Sequence, residues 1–269
     1  MLKTRVITAL ILAPTALAAI FLLPIAWYAL LFWVVGGLGA YEFAGMAGLT
    51  RPLARWGYVA VYTLLAAITW ALQPLMQFGL WVGELVWVFA IIAVLAYPAG
   101  ASVLRRGWLT GPAGIVICWA AWIALVSIRS APDGSLWLLW LLLLVWGADV
   151  GAYFCGRSFG RTKLAPAVSP GKTWEGVFGG FLLASLTCGV ILQLMGRFNL
   201  GWLFIMLALV AVSVFGDLFE SVLKRIRGIK DSGSLVPGHG GVLDRIDSVI
   251  AVLPCFALIL IYSGLSDTA

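Results

Sequence analysis

Long apolar runs fill the chain from residue 5 to residue 264, broken at short intervals by clusters of charged residues, proline and glycine. A helix needs ~20 predominantly apolar residues to cross a hydrocarbon core. On that measure the interruptions predict spans at 5–24, 26–46, 57–73, 81–98, 112–129, 135–155, 176–195, 201–220 and 249–264. The expected fold is an all-α polytopic integral membrane protein of about nine transmembrane helices.

Composition excludes a soluble globular domain. The chain is 63% apolar and 10% charged, with a mean hydropathy of +1.07, against roughly 45–50% and ~25% for a soluble domain. The distribution of charge sets an orientation, because Lys and Arg in short loops resist translocation. With nine spans, 15 of the 17 basic residues fall on one side and only Arg129 and Arg197 on the other. That split predicts a cytoplasmic N-terminus and an outer C-terminus. Lys3 and Arg5 ahead of an apolar run with Ala16-Leu17-Ala18 could pass for a secretory signal, but the run continues to Leu23 and reads as an uncleaved first span. Cys118, Cys155, Cys188 and Cys255 fall on different predicted helices without C-x-x-C spacing, which argues against a zinc site or disulfide framework.

No internal repeat or low-complexity tract divides the chain, so residues 1–269 read as one membrane domain. The first five spans carry almost no buried polar residues, so residues 1–130 read mainly as scaffold; the chemistry is expected within 147–248. Asp149 lies in the sixth span, Asp217 and Glu220 near the end of the eighth. Ionisable groups at such depth cost about 2.5–3.5 kcal/mol each on insertion scales and mark a functional site by default. Between the sixth and seventh spans, Gly171-Lys172-Thr173 looks like the end of a P-loop, but Pro166 stands where the motif needs its first glycine and no apolar strand precedes it. What survives is a glycine-rich loop with Arg157, Arg161, Lys163 and Lys172, whose side chains and backbone N–H groups suit phosphate oxygens. A basic loop that only touches anionic lipid heads would look similar.

The densest charge lies in 221–248, SVLKRIRGIKDSGSLVPGHGGVLDRIDS. Asp217, Glu220, Ser221 and Lys224 stand at i, i+3, i+4 and i+7, so they share one face if the helix continues through them. Asp244 and Asp247 repeat the three-residue spacing at the start of the ninth helix, with Arg245 between them facing elsewhere. Two acidic clusters joined by a loop that folds back can converge. Mg²⁺ takes hard oxygen ligands, typically one or two protein carboxylates plus substrate phosphates, so a nucleotide would complete its shell. Asp247, Glu220 and Asp149 serve such a site equally well as further ligands or as partners of Arg245 and Lys224. His239 sits in Pro237-Gly238-His239-Gly240-Gly241, a turn that suits an anion cradle or any tight helix entry.

The order S-x-x-K-R, K-D, P-G-H-G-G-x-x-D-R-x-D, with S-P-x-K-T-W-E-G at 169–176, closely resembles the signature of the phosphatidate cytidylyltransferases, or CDP-diacylglycerol synthases. The resemblance covers 147–248 in its motifs and the multi-span plan elsewhere. It implies that CTP and phosphatidate give CDP-diacylglycerol and pyrophosphate, with Mg²⁺ and a second cation, in a homodimer of the cell inner membrane whose active site faces the cytoplasm. No nucleic acid is involved. It implies Asp217 and Asp244 as metal ligands and catalytic residues, with Lys224 and His239 beside them. Ser169, Lys172, Arg225, Lys230, Gly240, Gly241 and Arg245 are expected to bind substrate. Two alternatives compete. Another Mg²⁺-dependent membrane transferase acting on diphosphates would carry different acidic motifs, such as D-G-x-x-A-R followed by G-x-x-x-D-x-x-x-D, and none is present. An ion-coupled transporter using Asp149 and Asp217 needs a site reachable from both faces, whereas these acids gather toward one end.

Overall fold

A computed structural model describes residues 2–238 and 240–263. Ten helices run in chain order: α1 (Leu2–Leu22), α2 (Ile25–Met46), α3 (Pro52–Ala71), α4 (Leu75–Leu95), α5 (Ala101–Leu104), α6 (Gly107–Ser130), α7 (Gly134–Phe159), α8 (Trp174–Leu194), α9 (Gly201–Arg227) and α10 (Leu243–Tyr262). Between α7 and α8 stand two short strands, β1 (Lys163–Ala165) and β2 (Ser169–Thr173). Helix dominates because a lipid interior offers no partner to a backbone N–H or C=O except those of its own helix. Among the described residues seven helices, α2, α4 and α6 to α10, are long and apolar enough to cross a membrane. The apolar part of α1 is Leu10–Leu22, and neither α1 nor α3 is among the seven. The chain is thus a nearly all-helical polytopic membrane protein.

Three expectations need correction. The fold is not purely α: β1 and β2 pair antiparallel, with Lys163 opposite Thr173 and Ala165 opposite Ser169. Two helices outrun their apolar segments, α7 to Phe159 and α9 to Arg227, because a helix end at the membrane surface can run on through polar residues. The third concerns the first five spans, which do bury polar groups: Glu42 and Thr69 are both under 4% exposed.

Helix α6 occupies the middle of the bundle, packed against α2, α3, α4, α7 and α10, with Ile117, Ala120, Ile123 and Ala124 fully buried. Helix α8 packs most extensively on α7. Their crossing is built from small residues, since a Cβ on Gly151 would lie 2.5 Å from the Gly179 carbonyl oxygen and one on Gly180 2.5 Å from that of Ala148. Without a hydrophobic drive between helices in lipid, such close backbone approach supplies the packing. The opposite face of α8 presents Leu182, Leu186 and Val190 outward at i, i+4 and i+8, as a lipid-facing stripe does.

The loops sort into two ends. At one, Arg227 donates from Nε to the Met46 carbonyl (2.7 Å) and from Nη2 to that of Ala47 (2.6 Å), closing the C-terminus of α2. Arg225 Nε reaches the Val168 carbonyl beside β2 at 3.2 Å. The Thr8 hydroxyl donates to the Pro237 carbonyl at 3.1 Å. At the other end Ser135 Oγ meets the Ile20 carbonyl at 3.0 Å and Arg197 pairs with Asp133 at 2.8 Å. The α2–α3 turn, the hairpin and the loop before α10 thus lie toward one end of the bundle, and the α1–α2, α6–α7 and α8–α9 turns toward the other.

Candidate active site

Helix α9 continues through the acidic segment and stops at Gly228, whose φ of 68° ends it in the left-handed conformation. Asp217, Glu220, Ser221 and Lys224 consequently lie on one face. Helix α10 begins at Leu243, which sets Asp244 and Asp247 in its first two turns. The two helices approach closely at Gly216, where a Cβ would lie 2.7 Å from the Asp247 carbonyl and from the Ala251 methyl. Glycine at 216 thereby lets Asp217 and Asp247 face a common space.

The β-hairpin delivers the third component. Thr173 caps α8 by accepting from the Gly176 N–H at 3.1 Å, a contact worth about 1 kcal/mol. Glu175 folds the hairpin's entry back, accepting from the backbone N–H groups of Arg161 (3.2 Å) and Thr162 (3.1 Å). Held this way, Lys172 places Nζ 2.7 Å from Asp217 Oδ2, and Ser221 Oγ donates to Asp217 Oδ1 at 3.2 Å. Lys224 Nζ lies 2.7 Å from Asp244 Oδ1 and 3.4 Å from Glu220 Oε1. Asp149 on α7 interacts electrostatically with Asp217 and Lys172. Asp247 does so with Asp217, Glu220 and Lys172.

Five carboxylates from three helices thus share two ammonium groups. Burial makes uncompensated like charge costly, so the cluster as built attracts further positive charge. Its acids are not equivalent. The Asp217 side chain is 34% exposed and reachable. Both Glu220 carboxylate oxygens are buried without a hydrogen-bond partner, with the Lys224 ammonium 3.4 Å from Oε1 as a loose ion pair, so most of their lone-pair capacity is unused. Asp244, 4% exposed, is engaged on every side: Oδ1 holds Lys224, while Oδ2 accepts from the backbone N–H groups of Ser232 (2.9 Å) and Gly241 (2.8 Å). Among the described residues no three acidic, cysteine or histidine side chains form a metal cage on their own. An all-oxygen set with one reachable carboxylate and one buried carboxylate that makes no hydrogen bond nevertheless fits a Mg²⁺ that draws most of its shell from phosphates and water.

The remaining sequence candidates separate. Arg225 secures Val168, and Ser169 opens β2 opposite Ala165 at the tip of the hairpin. Lys230 and Arg245 are exposed. Gly240, at φ 88°, and Gly241 have packing reasons, because a Cβ on Gly240 would lie 2.8 Å from Asp244 Oδ2 and one on Gly241 would meet Ser232 Oγ and, at 2.5 Å, Glu42 Oε2. His239 lies outside the described residues.

Glu42 escaped the sequence reading. Its carboxylate is 3% exposed and accepts from Ser232 Oγ (3.1 Å), Val242 N (3.0 Å) and Leu243 N (2.9 Å). It therefore caps α10 from α2, supplying the acceptor that the first N–H groups of a helix lack. Together Glu42 and Asp244 clamp the 232–243 loop from both sides. One signal was available: a single acid inside an otherwise apolar span.

The sequence profile described as "Cytidylyltransferase family" matches residues 3–263, and the chain belongs to that family. Among curated relatives, the phosphatidate cytidylyltransferase of Pseudomonas aeruginosa is 44% identical over 267 residues, covering 98% of each chain. The Haemophilus influenzae protein of the same name is 36% identical over 286 residues, covering 96% of this chain and 98% of its own. That of Bacillus subtilis is 37% identical over 183 residues, covering 64% of this chain.

Proposed function

We propose that the chain joins CTP to phosphatidate, giving CDP-diacylglycerol and pyrophosphate for phospholipid biosynthesis. The observation that carries this reading is the carboxylate cluster bridged by Lys172 and Lys224 at the end of the bundle where the basic loops gather. Family membership and the names of the relatives agree with it. In the reaction a phosphate oxygen of phosphatidate attacks the α-phosphorus of CTP, the bond from that phosphorus to the bridging oxygen breaks, and pyrophosphate leaves with the electron pair. Catalysis of such a transfer is mostly positioning and electrostatics. Lys172 and Lys224 hold phosphate oxygens as point charges, and their carboxylate partners keep both ammonium groups oriented. Asp217, with Glu220, Asp247 and Asp149 around it, would hold Mg²⁺, while Asp244 shapes the loop and aims Lys224. Mg²⁺, when bound, supplies positive charge to the phosphates and the departing pyrophosphate.

The finer topology belongs to the same proposal: nine spans, the N-terminus and the site in the cytoplasm, and a homodimer in the inner membrane. The basic-residue asymmetry supports the orientation; the homodimer and a second cation rest on the resemblance. Purified protein in detergent, given CTP, phosphatidate and Mg²⁺, is expected to release pyrophosphate only when both substrates are present. No release with both, or equal release without the lipid, overturns the assignment.

A further inference from the structure

Outside the carboxylate cluster, at the same end of the bundle, a cavity of about 420 Å³ opens between the α2–α3 turn, the first turn of α6 and the end of α9. It shares no residue with the cluster. Its volume is within the roughly 300–1,000 Å³ typical of ligand sites. Two guanidinium groups line it, Arg105 and Arg227, and no carboxylate does. Arg227 is fixed in place, since its Nε and Nη2 are bonded to the last carbonyls of α2; its Nη1 is not used in those bonds. Arg105 is exposed, and its guanidinium makes no hydrogen bond or ion pair among the described residues.

The other wall is apolar and belongs to two helices: Tyr58 on α3, Pro112 and Ile115 on α6. Tyr58 has its hydroxyl turned to the Gly111 carbonyl at 2.6 Å, so its ring rather than its polar tip is available to the cavity. A basic side facing an apolar side, at the first turns of α6, a helix long and apolar enough to cross a membrane, matches a molecule with an anionic head and a hydrocarbon body. Free phosphate would satisfy the arginines and leave the apolar wall without an occupant. Arginine forks suit phosphate oxygens in particular, and basic pockets between transmembrane helices bind anionic lipid heads.

We propose that this cavity is a binding site for the phosphate of an anionic phospholipid headgroup, seated on Arg105 and Arg227 with its glycerol portion against Tyr58, Pro112 and Ile115. The site is independent of the catalytic assignment and is read without turnover. Delipidated full-length protein in neutral detergent is titrated with phosphatidylglycerol, phosphatidylcholine or inorganic phosphate, and retained ligand is counted by native mass spectrometry. One phosphatidylglycerol per chain is expected, with phosphatidylcholine not retained. Arg105→Gln is expected to weaken retention about tenfold. Arg51→Gln, which removes an equal charge at the start of α3 outside the cavity, is expected to stay within about twofold of the parent. A second variant tests the cavity by filling it. Nothing lies within 4 Å of a Cβ placed on Gly111, which lines the cavity, so Gly111→Leu is expected to block the lipid without colliding at its Cβ. Equal loss in Arg51→Gln and Arg105→Gln, unchanged retention in Gly111→Leu, equal retention of the two lipids, or displacement by inorganic phosphate at lipid-like concentrations each overturns the proposal.

Discussion

Replacing Glu42 by Gln tests whether the N-terminal half is only scaffold. The exchange is nearly isosteric, so packing is retained while one acceptor oxygen becomes a donor. Three donors converge on the carboxylate, Ser232 Oγ, Val242 N and Leu243 N, at 2.9–3.1 Å. Glutamine keeps one acceptor; its best orientation serves Ser232 and Leu243 and turns an NH₂ group toward the Val242 N–H. One N–H at the buried helix entry is then orphaned, and the remaining bonds lose their charge assistance, together about 2–3 kcal/mol. The loop that carries Asp244 bears this loss before the bundle does. At ~1.4 kcal/mol per tenfold, turnover is expected to fall about 30- to 150-fold. Initial rates of pyrophosphate release provide the assay, with size exclusion and thermal melting in detergent confirming an intact fold. A well-folded Gln variant turning over within about threefold of the parent would refute the reasoning and return Glu42 to a passive role.

Further outcomes follow from the same geometry. Lys172→Met removes the 2.7 Å partner of Asp217 and is expected to reduce kcat/KM for CTP about 100-fold, with Lys172→Arg recovering part of it in steady-state kinetics; an unchanged Met variant returns Lys172 to a surface anchor. Gly241→Ala puts a methyl against Ser232 Oγ, Glu42 Oε2 and the Gly233 N–H and is expected to displace the loop, costing about 1–3 kcal/mol and at least about tenfold in rate; parental activity shows that the clamp can give way. In a cysteine-free background, cysteines at Ser158 and Ser234 are expected to react with an impermeant thiol reagent only after the inner face is exposed, and one at Ser135 from outside. Labelling of Ser158 and Ser234 from opposite sides separates the phosphate-binding loops by a bilayer and ends the single-site mechanism.

The sequence made legible what is periodic. The i, i+3, i+4, i+7 order of Asp217, Glu220, Ser221 and Lys224 required only that α9 continue, and it does. The long apolar runs announced the membrane helices, because a span must be apolar over its whole length. Pairings across the fold were hidden. Lys172 meets Asp217 through a hairpin whose second strand, SPGKT, has no apolar alternation to announce it. Glu42 meets Leu243 across 201 positions, and an acid in an apolar run declares a site without naming its partner. Asp217 and Asp244 looked alike as metal-seeking aspartates, yet packing leaves the first reachable and commits the second to Lys224, Ser232 and Gly241.

In the proposed reaction Asp217 anchors the chemistry. The most direct test is the Mg²⁺-dependent formation of CDP-diacylglycerol from CTP and phosphatidate by purified Asp217→Asn, beside the parent protein at matched folding. The substitution keeps the size of the side chain and an acceptor for the Ser221 hydroxyl while removing the negative charge opposite Lys172. The account predicts a loss of at least about 100-fold that added Mg²⁺ does not recover, with the melting temperature near that of the parent. Turnover within a few-fold of the parent at ordinary Mg²⁺ would contradict it and move the catalytic centre away from this cluster.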